Sequence, residues 1–322
     1  MNAGRRALRR GVVARLGLAA SLVCAAFAAS PRVEAYVRYK TTSGLGFFWP
    51  QTCVPVSVYP ASMMDLSGNM DMTPDQIVHA ATASAAAWSS ATMGSGEPTC
   101  TFLKINVTES SDPTPKAGLD YANILVFRTN SWCGPPDPST GGCSYASEAL
   151  AITSVFVDKS NGHIVDGDIE VNAKNFVWTD LDADPTGKGK QDLQNALTHE
   201  MGHLIGLDHT CFSPGAPDPL DNNGKPVPSC ENAPAAVQAT TMFASAIPGD
   251  TAKRTLAPDD IQAVCDIYPV AMDPMKCPLK DEPPPKTGCA LAPAAPGGGA
   301  AVLTALAALA LAARRRGRAR RT

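Results

Sequence analysis

Residues 199–209 read HEMGHLIGLDH, which sets His199, Glu200, His203, Gly206 and His209 in one short run. On a helix, positions i and i+4 share a face, so His199 and His203 can present two imidazoles to one cation. Glycine tolerates left-handed backbone; Gly206 can therefore end that helix and turn the chain back, bringing His209 in as a third ligand. Three neutral nitrogens around Zn2+ leave one position for a water that is acidified toward neutrality. A carboxylate beside it, Glu200, can take the proton and deliver it to a departing amine. Three of the five histidines of the chain fall in this run, against a surface helix that merely happens to carry them. His79 and His163 have no partner at ligand spacing and read as surface or satisfied core residues.

The run resembles the metzincin zinc endopeptidases, whose pattern HExxHxxGxxH it matches at every fixed position. That resemblance implies a methionine turn beneath the metal, and TTMFAS offers Met242 for it. It also implies a closing C-terminal helix, for which TLAPDDIQAVCDIYP (255–269) is the candidate. Thr210 stands where matrixins usually carry Ser; with a hydroxyl residue kept there, the run resembles the matrixin branch. Between His209 and Met242 lie 32 residues, where matrixins use only a few, and Cys211 and Cys230 bracket most of the excess as a stapled insertion. The resemblance further implies an extended peptide along an edge strand within Leu150 to Val157, with the residue after the scissile bond entering a pocket near Phe243 to Ile247. Cys133-Gly134-Pro135-Pro136-Asp137 matches the core, CGxPD, of the matrixin cysteine switch. Its place between two strands puts it inside the domain rather than ahead of it, and Cys143 is a ready partner, so a local disulfide without autoinhibition is expected.

Both ends read as address labels. Five arginines between Arg5 and Arg15 precede an apolar run from Leu16 to Ala29, which marks a signal peptide; Ala28 and Ala35 both offer cleavage sites, and the strand-like segment that begins at Tyr36 favours Ala35 and a signal of residues 1–35. From Ala300 to Ala313 the chain is almost wholly apolar and six arginines follow. Fourteen helical residues reach roughly 21 Å, short of a ~30 Å bilayer core. With Gly288-Cys289 upstream, residues 290–322 resemble the C-terminal sorting signals of myxobacterial surface proteins, a plain tail anchor being the alternative. Transient membrane contact through this segment, processing, and an extracellular or cell-surface location are expected. Residues 271–289 are proline-rich and read as a stalk, leaving 36–270 as the catalytic domain.

The two ends hold 12 of the 27 basic residues and one of the 30 acidic, leaving 15 against 29 and a net charge of −14. Nucleic acid is not a partner that this balance suits. With Cys24 and Cys289 set aside, eight cysteines remain, an even number that reads as disulfides in an exported chain. Pairing sequence neighbours gives 53 with 100, 133 with 143, 211 with 230 and 265 with 277. Asp180, Asp182 and Asp184 alternate, but Pro185 and Gln191 break the EF-hand pattern, leaving a solvated acidic loop or a nonstandard structural Ca2+ site.

Thr73-Pro74-Asp75-Gln76 supplies an N-cap, a first-turn proline and a capping-box partner, ahead of Ile77, Ala81, Ala85 and Trp88 at helical spacing. Strand-like runs follow at 122–127, 150–157 and 164–171, and the histidine-bearing helix should start near Lys190. The expected fold is α+β: a twisted mixed sheet packed on helices, an active-site helix, and a small C-terminal part with the methionine turn. The expected activity is zinc-dependent hydrolysis of a protein or peptide substrate by a monomer. A zinc-containing surface or adhesion module on the same fold is the alternative.

Overall fold

The computed structural model describes residues 36–60, 72–112, 115–136, 138, 140–213 and 219–277. The expected signal peptide, the C-terminal apolar segment, the stalk beyond residue 277, Asp137, Cys24 and Cys289 lie outside the described residues.

Alternating burial builds the sheet. In β2 (Cys53–Val58) and β4 (Ile124–Arg128) the apolar residues Val54, Val56, Leu125 and Phe127 join the main core; Val126 and Ile124 pack on the opposite face with Tyr59. Before them comes the two-residue strand β1 (Val37–Arg38), and between them α1 (Pro74–Ser89) and β3 (Lys104–Glu109). β5 (Ala151–Asp158) and β6 (His163–Asn172) complete a five-stranded sheet of order β3-β2-β4-β6-β5. All neighbours are parallel except β5, which runs antiparallel to β6 and forms one edge. The fold is α+β, a mixed sheet against helices.

The capping box at the start of α1 is formed in both directions: Gln76 N donates to Thr73 Oγ1 (3.3 Å) and Thr73 N to Gln76 Oε1 (2.8 Å). The buried stripe Ile77, Ala81, Ser84, Ala85 and Trp88 of α1 faces the histidine-bearing helix. Two short strands, β7 (Trp178–Thr179) and β8 (Gln191–Asp192), lead into that helix, α2 (Leu193–Leu204). Asp192 caps it, accepting from Asn195 N at 2.8 Å, so it begins three residues later than Lys190. The two helices are pinned by Trp88 Nε1 donating to Thr198 O (2.8 Å) and Ser84 Oγ to Gln194 O (3.1 Å). β9 (Leu207–Asp208) pairs with β1, then come the short α3 (Ala235–Gln238) and α4 (Pro258–Ile267), the closing helix.

Four disulfides among the described residues point to an oxidising compartment. Neighbour pairing holds for Cys133–Cys143 and Cys211–Cys230. It fails for the other four cysteines, which join as Cys53–Cys277 and Cys100–Cys265. The cause is the return of the C-terminal end to the start of the sheet: Thr52 N donates to Lys276 O (2.8 Å) and Phe102 N to Tyr268 O (2.9 Å). The alternating aspartates likewise find cations of the chain itself. Arg254 reaches Asp180, Asp182 and Asp192, and Lys190 reaches Asp184. Their carboxylates do not converge on a common point, and among the described residues only the three histidines form a metal-ready group.

Candidate metal centre

Helix periodicity puts His199 and His203 on one face of α2, and Gly206 then reverses the chain. Gly206 has φ +95, its N–H donates to His203 O (2.9 Å), and a Cβ there would lie 2.6 Å from Phe47 O. The turn delivers His209, whose Nε2 lies 3.1 Å from Nε2 of both His199 and His203. A tetrahedral ion about 2.0–2.1 Å from each nitrogen needs an edge of about 3.3 Å, so the spacing suits zinc.

The opposite ring atoms fix which nitrogens face inward. His199 Nδ1 meets Thr241 O at 2.6 Å and His203 Nδ1 meets Leu207 O at 2.8 Å. Carbonyls only accept, so each Nδ1 carries the proton and each Nε2 presents a lone pair to the centre. Burial, then the Lys253 charge, holds His199 well below the usual histidine range. Burial also brings His203 down to about 4 and, ahead of His203 and Lys253, lowers His209. All three are neutral at physiological pH, the protonation state a ligand needs.

Glu200, beside the first ligand and buried, accepts from Thr153 Oγ1 of β5 at 2.6 Å. Burial pushes its carboxyl up to about 7 against the opposing pull of Thr153 and Lys253. A carboxyl poised near neutrality can both take and return a proton.

Met242 packs beneath α2. A Cβ at Gly202 would lie 2.2 Å from Met242 Sδ and 2.9 Å from Trp88 Cζ2, so only glycine admits that sulfur. Asp260 of α4 anchors the turn, its carboxylate accepting from Thr241 N (2.7 Å) and Met242 N (3.3 Å). Thr210 N donates to Met242 O (3.1 Å), tying the residue after the third histidine to the same turn despite the long insertion. The insertion is tied to the domain at two places: Asn222 N donates to Tyr36 O at 3.0 Å, and Cys211, Ala233 and Val237 form a small core against which Phe243 and Ala244 pack.

No protein-family model and no curated protein sequence matches the chain. Among solved structures it is similar to a chain of the GM1-bound form of the ECX AB5 holotoxin, with 12% identity over 74% of this chain and 91% of that one at a TM-score of 0.37.

The structure brings together all five residues singled out in the sequence. It adds four that carry no readable pattern. Thr153 comes from a strand, and Tyr39 OH lies 3.2 Å from His203 Nδ1. Lys253 is buried with Nζ donating to Phe243 O and 3.4 Å from His199 Nδ1, its ammonium pushed down to about 8 by burial. Asp260 is the fourth. His163 stacks edge-on against Phe48 and His79 is exposed, both away from the centre. Tyr39 and Thr153 also line a cavity of about 970 Å3 that follows β5.

Proposed function

We propose that the chain is an exported zinc-dependent endopeptidase of the matrixin-like metzincin kind. The observation that carries this reading is the convergence of three neutral Nε2 atoms, each fixed by geometry or turn, beside a buried carboxyl. Zinc bound there would supply a Lewis acid and lower the pKa of water toward neutrality. His199, His203 and His209 hold the ion. Glu200 acts first as base and then as acid toward the leaving amine, with Thr153 fixing its rotamer. An edge strand such as β5 exposes unpaired N–H and C=O groups, and an extended peptide can add to it as a further strand. Met242 serves as the floor of the site, and Phe243 to Ile247 as the wall of a pocket for the residue after the scissile bond.

In this reading residues 1–35 are removed on export, the catalytic domain runs from 36 to 277 rather than to 270 because Lys276 and Cys277 are tied to the start of β2, 278–289 form the stalk, and 290–322 are a processed surface-sorting signal. The substrate is a protein or peptide, and the enzyme works as a monomer. Removing metal with a zinc chelator should abolish peptide hydrolysis, and stoichiometric Zn2+ should restore it. Hydrolysis that persists in metal-free protein would overturn the reading.

A further inference from the structure

The cavity beside the metal centre wraps the edge of the sheet. Thr153 and Val155 stand on the helix side of β5, Ser154 and Phe156 on the other, and all four line it. It starts at Thr153, next to Glu200, and extends toward Lys159 in the turn after β5. A strand advances about 3.3 Å per residue, so roughly 20 Å separates the two ends. The disulfide-closed loop at Cys133 and the segment around Tyr39 form its walls.

Its charge is opposite to that of the domain. Lys40, Arg128 and Lys159 line it, and the one carboxylate among the described lining residues is Glu170. Glu170 is buried and already satisfied, accepting from Arg128 Nε and from Tyr145 OH at 2.5 Å. Two neighbouring carboxylates are bonded within their own turns, Asp158 to Ser160 and Asn161 and Asp208 to His209 N, and neither lines the cavity. A cationic groove thus lies in a segment (36–289) with a net charge of −14.

We infer that this groove selects peptides carrying Asp or Glu on one flank of the cleaved bond, the flank laid along β5 from Thr153 toward Lys159. The inference rests on the peptidase reading. Main-chain pairing with the edge strand would be indifferent to sequence, and Lys40 and Lys159, the lining cations other than the Glu170-paired Arg128, supply the discrimination. Each exposed ion pair contributes a factor of roughly 1.5–5, so two give on the order of 3- to 10-fold. Such contacts act through long-range attraction and fade with salt, the Debye length falling to about 3 Å at 1 M.

Two fluorescein-labelled nonapeptides, identical except for Asp or Asn at three positions on one flank, would be titrated onto zinc-loaded Glu200→Ala protein, which does not turn them over. The Asp peptide should bind about 3- to 10-fold tighter at low salt. That preference should vanish near 1 M salt and in the double variant Lys40→Gln/Lys159→Gln, whose exposed positions leave the fold intact. Equal affinities, or a preference that survives both changes, would overturn the inference. In parallel, cleavage of an unbiased peptide library by the unsubstituted protein should show acidic residues enriched on one flank only, and a map without enrichment would count equally against it. If no peptide is cleaved, the peptidase reading falls, and the binding ratio still decides the groove.

Discussion

Substituting Gly206 by alanine should separate two costs that the turn before His209 carries. An L-residue at φ +95 costs about 1–2 kcal/mol. The added Cβ would also sit 2.6 Å from Phe47 O and 3.1 Å from Phe47 C, backbone atoms that cannot rotate away, and relieving such overpacking costs about 1–3 kcal/mol more. The expected total is about 2–5 kcal/mol. Gly224→Ala is the control: its φ is +75 but no atom lies within 4 Å of the added carbon, so it should lose only about 1–2 kcal/mol. Lower entropy of the unfolded chain favours both variants alike and cancels in the difference. Urea unfolding of metal-stripped protein gives the two stabilities, and competition with a fluorescent zinc chelator gives the affinity. Because the displaced segment leads into His209, zinc should bind Gly206→Ala at least about tenfold more weakly. A Gly206→Ala protein as stable as Gly224→Ala, with unchanged zinc affinity, would refute the turn's role in placing the third ligand.

Other expectations follow from particular contacts. Arg254→Leu strips the guanidinium that bonds both oxygens of Asp192, a carboxylate with no exposure that also caps α2; thermal or urea unfolding should show a loss of about 3–5 kcal/mol. Asp168, buried on β6 and accepting from Gly118 N and Ile124 N, is pushed up to about 8 by burial, with the nearby Asp166 adding to the rise. The folded state then binds more protons than the unfolded chain between about pH 4 and 8, so stability should fall as pH rises through that window. Urea midpoints at pH 5 and 8 should show this slope, and Asp168→Asn should flatten it. Tyr39→Phe should weaken zinc by less than about tenfold in the same chelator competition, because Leu207 O already takes the single Nδ1 proton of His203 at 2.8 Å while the phenol stands at 3.2 Å.

Local signals made the centre readable in the sequence. His199, Glu200, His203, Gly206 and His209 lie within one helix and one turn, where residue spacing and geometry coincide. The Thr73 cap and the β5–β6 runs were legible for the same reason. What escaped were contacts closed across long stretches of chain. Cys53 and Cys277 are 224 residues apart, and their pairing depends on a tail that returns to the first long strand. Thr153, Lys253 and Asp260 reach the site from three separate elements and look like ordinary strand, loop and helix-start residues in isolation. β2 and β3 were also missed: their side chains alternate, but Pro55 within β2 and the polar exposed face of β3 weaken the pattern. The alternating aspartates show the converse, since a calcium-like spacing is taken up by cations of the chain, Asp180 and Asp182 by Arg254 and Asp184 by Lys190.

The most direct test of the account compares the unsubstituted protein with Glu200→Ala for zinc content and peptide hydrolysis in the same preparations. One zinc per chain is expected in both, because the three imidazoles are untouched, while hydrolysis should drop by about 100- to 10,000-fold in the variant. Full activity in Glu200→Ala, or an unsubstituted protein that hydrolyses peptides without holding zinc, would contradict it.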